Sequence, residues 1–341
     1  MKNVMVTGAA GFVGSNLVKA LLDRGCNVTA LVRKTGLDLE HPNLCFVQGD
    51  MQDQASLMQA CEGVDTVFHT AACIAMLGGK AATAKYRDWA YGINVKGAEN
   101  IVAACKAKGV ARLVQTSSVE VCFNSEEDLL VDEHAPYATT FNCLYTETKI
   151  QAEKTILAAN EPGKLLTCAL RPDGIWGVGQ SVMMESIFAS FVKGMPARLG
   201  GQGAVHDHVH VDNLVHAHLL AADALEAGTP IAGKAYFITD GEPAALFDFI
   251  RPFVEGLGYK VPGPSIPGKP LYWSMKAWEW MHFKFGISAP VMAPHEVNKA
   301  IISHVINSDA AKRDFGYTPI KTVAQGMTEA VEYYRKRQTA A

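Results

Sequence analysis

The sequence predicts an α/β protein built on a doubly wound parallel sheet (Rossmann), with a smaller, discontinuous substrate-binding region toward the C-terminus. Three observations carry that expectation. Apolar β-type runs alternate with stretches of helical spacing through the first half of the chain, which is the rhythm of parallel strands joined by crossover helices. The first run leads into a glycine triplet, Gly8, Gly11 and Gly14, at a strand-to-helix turn. Glycines let the backbone turn tightly and approach a pyrophosphate, whose charge then sits at the positive helix N-terminus. After Arg171-Pro172 the texture changes to irregular segments rich in Gly and Pro, including GMPARLGGQG and GYKVPGPSIPGKP.

Taken in order, strands are expected at Asn3 to Thr7, Asn27 to Val32, Leu44 to Gln48, Thr66 to His69, Arg112 to Thr116 and Leu166 to Leu170. Helical spacing of apolar residues marks Gly14 to Arg24, Gln54 to Cys61, Val95 to Lys108 and Thr146 to Asn160. A sheet of this kind binds nucleotides at its carboxyl edge. HVHVDNLVHAHLLAADAL and KAYFIT again carry helix and strand patterns and are expected to return to the sheet. The expected division is therefore 1–171 plus about 207–240 for dinucleotide binding, with about 172–206 and 241–341 for the substrate.

At 341 residues the chain suits one large or two interlocked domains and can bury a sizeable site. With 49% hydrophobic and 19% charged residues it reads as soluble, globular and cytoplasmic; a net charge of -3 without a basic cluster argues against a nucleic-acid partner. The eight cysteines, at 26, 45, 61, 73, 105, 122, 143 and 168, form no CxxC pair. They are expected to be buried thiols in a reducing compartment, neither a disulfide framework nor a zinc site. MKNVMVTGAAGFVG could pass for a secretory leader, but its glycines break the apolar run. Nowhere do eighteen apolar residues run uninterrupted, so no membrane span is expected. His206, His208, His210, His216 and His218 lack an HExxH or acidic-ligand pattern, and are read as a strand end and helix packing with no metal. Asp132 and Glu133 are read as a solvated loop.

FNCLYTETKIQAEK sets Tyr145 and Lys149 one helical turn apart on one face. Together with GxxGxxG, VQGDMQD, VFHTAA, NVKGAENIV, TSSVEV and YTETK, in that order, the pair makes the chain resemble the extended short-chain dehydrogenase/reductases over nearly its whole length. The resemblance implies a catalytic set of Ser118, Tyr145 and Lys149. It also implies cofactor contacts at Gly8, Gly11, Phe12, Val13 and Gly14 in the glycine turn, at Asp50 and Met51 by the adenine, and at Thr70, Ala71 and Ala72 under the cofactor. Asn94 is placed beside the site and Pro172 opposite the nicotinamide amide. The chemistry explains the residue types. A free phenol, with a pKa of about 10, is a poor base at neutral pH. A neighbouring ammonium and a positive nicotinamide ring both favour phenolate. Lys149 is expected to hold the ribose as well, and Ser118 to hydrogen-bond the substrate oxygen while Tyr145 moves the proton.

LYTETK, AEKTILAAN, LLTCALRPDGIWG, VHVDNLVHAHLLA and AYFITDGEP resemble the 3β-hydroxysteroid dehydrogenase branch, which includes sterol 4-carboxylate 3-dehydrogenases. A flat, apolar, fused-ring alcohol is the implied substrate. A nucleotide-sugar epimerase or reductase and a long-chain β-ketoacid reductase are the alternatives on this scaffold. A non-catalytic cofactor-sensing protein is the alternative of another class, and such proteins commonly lack the tyrosine-lysine pair. A sugar diphosphate would call for several Arg, Lys or Asn groups, and 172–206 supplies only Lys193 and Arg198 among its basic residues. In LYWSMKAWEWMHFKFG, Leu271, Met275, Trp278 and Phe285 fall near one helical face and are expected to wall a sterol cavity. Membrane contact is expected to be weak and peripheral at most. Pairing of Val95 to Lys108 and Thr146 to Asn160 between subunits would give a homodimer. The second strand ends in Val32, Arg33 and Lys34 with no carboxylate for the ribose hydroxyls, so NADP(H) is favoured and NAD(H) remains open.

Overall fold

The computed structural model describes all residues except 35–37, 78–81, 125–127, 142, 180–181, 195–197, 200–203, 264 and 341. The chain opens with β1 (Asn3–Thr7), α1 (Phe12–Asp23), β2 (Asn27–Val32), β3 (Leu44–Gln48), α2 (Gln54–Ala60) and β4 (Thr66–His69). Next come α3 (Ala84–Tyr91), a π-helical turn (Gly92–Lys96), α4 (Gly97–Lys108), β5 (Arg112–Thr116), a 3-10 turn (Val119–Cys122) and β6 (Leu129–Val131). They are followed by α5 (Leu144–Ala158), β7 (Leu166–Pro172), β8 (Ile175–Trp176), α6 (Val182–Val192) and β9 (Arg198–Leu199). Then come β10 (Val205–His206), β11 (Val209–His210), α7 (Val211–Ala224), β12 (Ala235–Ile238), β13 (Ala244–Ala245) and α8 (Leu246–Gly256). The chain closes with β14 (Ser265–Ile266), α9 (Gly268–Phe285), α10 (Pro294–Ile301), β15 (His304–Ile306), α11 (Asp309–Phe315) and α12 (Val323–Ala340).

Seven strands form one parallel sheet in the order β12-β7-β5-β4-β1-β2-β3. The chain winds outward from β1 to β3 and then crosses back to place β4 on the other side of β1. That reversal leaves a crevice at the carboxyl ends of β1 and β4, where such sheets bind ligands. The register brings Thr7 level with Leu31 and His69, and Thr116 level with Leu170. Residues that follow these strand ends therefore share one edge.

Each face of the sheet is covered by helices. Leu17 and Leu21 of α1 pack with Leu214 and Ala221 of α7 on one side. Leu57 of α2, Ile101 of α4 and Ile156 of α5 cover Met5, Val67 and Leu113 on the other. Trp176, Phe249, Phe253, Met327 and Tyr334 make a separate core in the C-terminal region. A small second sheet, ordered β13-β10-β15-β6, joins the two halves of the chain.

Candidate active site

The glycine turn after β1 is shaped so that side chains are excluded. Gly8 has a φ of 67°, and a Cβ there would lie 2.8 Å from the Ala71 backbone nitrogen. A Cβ on Gly14 would lie 2.2 Å from the Gly8 carbonyl oxygen. Gly11 caps α1 without a side-chain hydrogen bond, so the first N–H groups of the helix, those of Phe12 and Val13 among them, lack side-chain capping. A closely approaching backbone at an uncapped helix N-terminus fits the pyrophosphate of a dinucleotide. The loop after β4 is tied to this turn: Thr70 Oγ1 donates to the Thr7 carbonyl at 2.7 Å, and the Ala71 N–H donates to Thr7 Oγ1 at 3.2 Å. Thr7 Oγ1 also pairs with His69 Nδ1 at 2.8 Å. Burial, helped by the Lys149 charge, pushes His69 down to about 3 and keeps it neutral.

Arg33 is exposed immediately beyond β2, and its carbonyl accepts from Gln48 Nε2 at 3.3 Å. Met51 is buried with its carbonyl held by Asn100 Nδ2 at 2.9 Å, while Asp50 Oδ1 accepts the Gln52 N–H at 2.9 Å. Pro172 ends β7 at the same edge of the sheet.

Ser118, just past β5, caps the 3-10 turn in extended backbone, and its Oγ accepts the Glu120 N–H at 3.2 Å. Tyr145 enters on the first turn of α5, its N–H bonded to the Ala75 carbonyl at 3.0 Å. Ser118 is close enough to the Tyr145 phenol to act on its pKa. Burial raises the Tyr145 pKa above its ordinary value and Glu120 adds to this, while Ser118 and Lys299 pull it back. These influences favour the neutral phenol; the lowering expected from Lys149 and a positive nicotinamide ring together concerns the cofactor-bound site. Lys149 is 3% exposed and donates to the Thr116 carbonyl at 2.7 Å. Burial lowers its pKa to about 8 against the opposing charges of Glu153 and Cys73.

Asn94 lies in the π-helical turn, a feature that helical spacing does not reveal. Its Nδ2 donates to the Cys73 carbonyl at 3.0 Å and to Thr148 Oγ1 at 2.9 Å, and its Oδ1 accepts the Cys73 N–H at 2.8 Å. The amide is a strut between the loop after β4 and α5.

Beneath Ser118 lies a charge cluster that sequence reasoning missed. Glu120 is 1% exposed and meets His295 Nε2 at 2.8 Å and Lys299 Nζ at 2.7 Å. Lys299 also meets Asp173 at 2.8 Å, and Asp173 lies 3.3 Å from His304 Nδ1. The signal available was an acidic residue inside the apolar run TSSVEV, which requires a buried partner.

A hollow of about 620 Å³ lies against the edge of the second sheet between Leu130, Pro136 and Val305 and holds none of these side chains. A smaller one, about 240 Å³, is lined by Ile74, Met76, Tyr86, Pro290, Val291 and Met292. Ala75, the acceptor of the Tyr145 N–H, sits between two of its lining residues. Its volume is below the 300–1,000 Å³ typical of ligand pockets, and Glu296 also lines it.

α9 does not wall this hollow as expected. Met275 is buried, but Leu271 and Trp278 are only half-buried and Phe285 is exposed. The helix turns Met275 and Glu279 inward, a face that apolar periodicity does not select because Glu279 is charged. Among the described residues, one group with metal-ligand spacing occurs: His210, Asp212 and Glu329. Lys321 pairs with both of its carboxylates at 2.6 Å.

A parallel sheet in this winding, its glycine turn at the crevice and a serine-tyrosine-lysine constellation at the same edge define an extended short-chain dehydrogenase/reductase. The crystal structure of gox2253 matches with a TM-score of 0.77 and 26% identity over 99% of each chain. A 3 beta-hydroxysteroid dehydrogenase/Delta 5-->4-isomerase of Mycobacterium tuberculosis is 42% identical over 97% of this chain and 90% of its own. A 2-alkyl-3-oxoalkanoate reductase of Shewanella oneidensis is 33% identical over 96% of this chain and 85% of its own. The profile of the 3-beta hydroxysteroid dehydrogenase/isomerase family matches residues 5–267, and the chain belongs to that family. It is an oxidoreductase.

Proposed function

We propose that the protein is an NAD(P)-dependent dehydrogenase that interconverts a 3β-hydroxysterol and its 3-ketosteroid. The observation that carries the reading is the gathering of Ser118, Tyr145 and Lys149 at the carboxyl edge of the sheet, where Ser118 acts on the Tyr145 phenol and Lys149 is held by the Thr116 carbonyl. A nicotinamide cofactor held at this edge would supply the hydride acceptor for the carbinol carbon, and the positive charge of its oxidised form would favour phenolate before the transfer.

Ser118 spends an oxygen lone pair on the Glu120 N–H, which leaves its hydroxyl hydrogen to donate to the substrate oxygen. Tyr145 Oη takes the alcohol proton in oxidation and returns it to the ketone oxygen in reduction. Lys149 serves the ribose and the charge balance of the phenol. Gly8, Gly11, Phe12, Val13 and Gly14 receive the pyrophosphate, Asp50 and Met51 the adenine, and Arg33 a 2′-phosphate, so NADP(H) is favoured over NAD(H). Thr70, Ala71, Ala72 and Pro172 frame the nicotinamide side. A 4-carboxysterol also suits the reaction, because oxidation at C3 makes a β-keto acid that readily loses carbon dioxide. The relative named as a 2-alkyl-3-oxoalkanoate reductase supports a second reading, a long-chain β-hydroxy acid as substrate.

The test is isotopic. A 3β-hydroxysterol carrying deuterium at C3 should pass its label to the cofactor, read by mass spectrometry of the reduced dinucleotide. Unlabelled reduced cofactor, or none, rejects the proposal.

A further inference from the structure

We infer that Gln115 holds an ordered water against the Lys149 ammonium, within a polar row of the sheet just below the crevice, and so is a positioning residue for Lys149. The inference rests on the proposed function only for the role that Lys149 has toward the cofactor.

Strand register builds the row. Thr7 stands opposite His69, His69 opposite Gln115, and Gln115 opposite Ala169. Two residues earlier on β1, β4 and β5 come Met5, Val67 and Leu113, which are apolar and packed with Ile156 of α5. Side chains alternate along a strand, so Gln115 shares the face that α5 covers. Thr116 turns the other way, its hydroxyl 2.7 Å from His218 of α7. Ser117 continues the ladder, its N–H bonded to the Leu170 carbonyl at 2.6 Å, and so returns to the Gln115 face. Thr7, His69, Gln115 and Ser117 are all buried.

Hydrogen-bond demand selects the ligand. Neither Nε2 nor Oε1 of Gln115 has a partner among the described residues, nor does Ser117 Oγ, and Gln115 is 0% exposed. Bulk solvent cannot serve these atoms. A buried amide left unbonded is costly, and an ordered water shared among a few polar groups is the usual remedy. Across the row His69 is already held by Thr7 and stays neutral.

Lys149 comes to the same place from α5. Its Nζ donates to the carbonyl of Thr116, the residue between Gln115 and Ser117. An ammonium carries three hydrogens: Thr116 takes one, the ribose is assigned another, and the third goes to the water. The water in turn donates to Gln115 Oε1 and Ser117 Oγ. The other titratable groups around Lys149 are Tyr145 and Glu153 on its own helix, Cys73 in the loop after β4, and His69 on β4. Glu153 is taken up by Arg171 and Tyr137, and Cys73 Sγ donates to the Ala90 carbonyl. The bond to water therefore favours the ammonium against the burial that pushes Lys149 down to about 8.

The experiment uses the full chain crystallised with NADP(H). The density map should place a water within hydrogen-bond reach of both Lys149 Nζ and the Gln115 amide, and the map of Gln115→Leu should lose it. In solution, cofactor fluorescence titrations across pH give the point on the alkaline side at which affinity falls. Loss of a hydrogen bond to the ammonium should move that point down by about one pH unit or more in Gln115→Leu. Thr167→Val is the control. The Thr167 hydroxyl, also without a partner among the described residues, lies deeper in the sheet opposite Leu113, and its loss should leave the point in place. No water against Gln115, an unmoved point in Gln115→Leu, or an equal shift in Thr167→Val overturns the inference. Where a variant does not fold, the map of the unaltered protein decides by itself. Neither readout needs a substrate, so water and shift without sterol turnover would leave Gln115 in its role and reject the sterol reading alone.

Discussion

Lys299 Nζ stands 2.7 Å from a Glu120 carboxylate oxygen and 2.8 Å from Asp173, tying α10 to the chain leaving β5 and β7. Burial works against a charge on His295, but Cys143 and Glu120 raise its pKa well above the ordinary value. Two carboxylates thus face two cations, and the cluster is balanced under the Ser118–Tyr145 pair.

Removing Lys299 leaves an excess of buried negative charge. Lys299→Met should lower stability by about 3–5 kcal/mol, the usual cost of breaking a buried pair from one side. Lys299→Arg should keep most of it. Lys299 also pulls the Tyr145 phenol down, so in a Met variant that still folds the pH of half-maximal alcohol oxidation should move upward. Urea unfolding and pH-rate profiles check both; an unmoved profile would make Lys299 a brace without electrostatic effect on the phenol.

Tyr145→Phe should retain cofactor binding and lose roughly 10²- to 10⁴-fold in turnover, the worth of a positioned acid or base. Lys149→Met should damage both quantities. Cofactor fluorescence and steady-state rates measured in parallel decide, and near-normal turnover of Tyr145→Phe would remove it from the chemistry.

Arg33 should favour NADP over NAD by roughly tenfold to a hundredfold, since one charge-assisted hydrogen bond contributes on the order of 1.5 to 3 kcal/mol. Arg33→Ala should erase the preference. Comparison of kcat/KM for both cofactors tests this; a preference for NAD that survives the substitution would show that the arginine does not read the phosphate.

Acid should weaken the fold before it titrates most carboxylates. Burial pushes His69 and His208 down to about 3, against an unfolded value of about 6.5. Between those values the unfolded chain binds protons that the folded chain does not, so stability falls as pH drops. Each ring contributes a loss approaching about 1.4 kcal/mol per pH unit, or about 4 kcal/mol for the two between pH 7 and 5. His295, with a raised folded pKa, contributes fully below about pH 6.5 and does not reverse this trend. Urea midpoints at pH 7, 6 and 5 should fall in order, and a flat series would mean that these rings are protonated in the fold.

The sheet was legible because each of its strands is a local apolar run bounded by a turn. Asn3–Thr7, Asn27–Val32, Leu44–Gln48, Thr66–His69 and Arg112–Thr116 stand where the pattern put them, and Ala235–Ile238 returns to the sheet edge. The glycine turn was legible because Gly8 and Gly14 answer a local steric demand. Glu120 and Lys299 were not, because their meaning lies in a contact between residues 179 apart in sequence. Nor was the orientation of α9: several of its faces carry aromatics, and only packing on α10 selects the inward one.

The most direct measurement is cofactor reduction, followed by absorbance, with 3β-hydroxysterols, 4-carboxysterols, UDP-sugars and long-chain β-hydroxy acids offered in turn to the unaltered protein and to Tyr145→Phe. Reduction with the 3β-hydroxysterols, lost in the variant, is the predicted result. Reduction with a UDP-sugar or a β-hydroxy acid and with no sterol would contradict it.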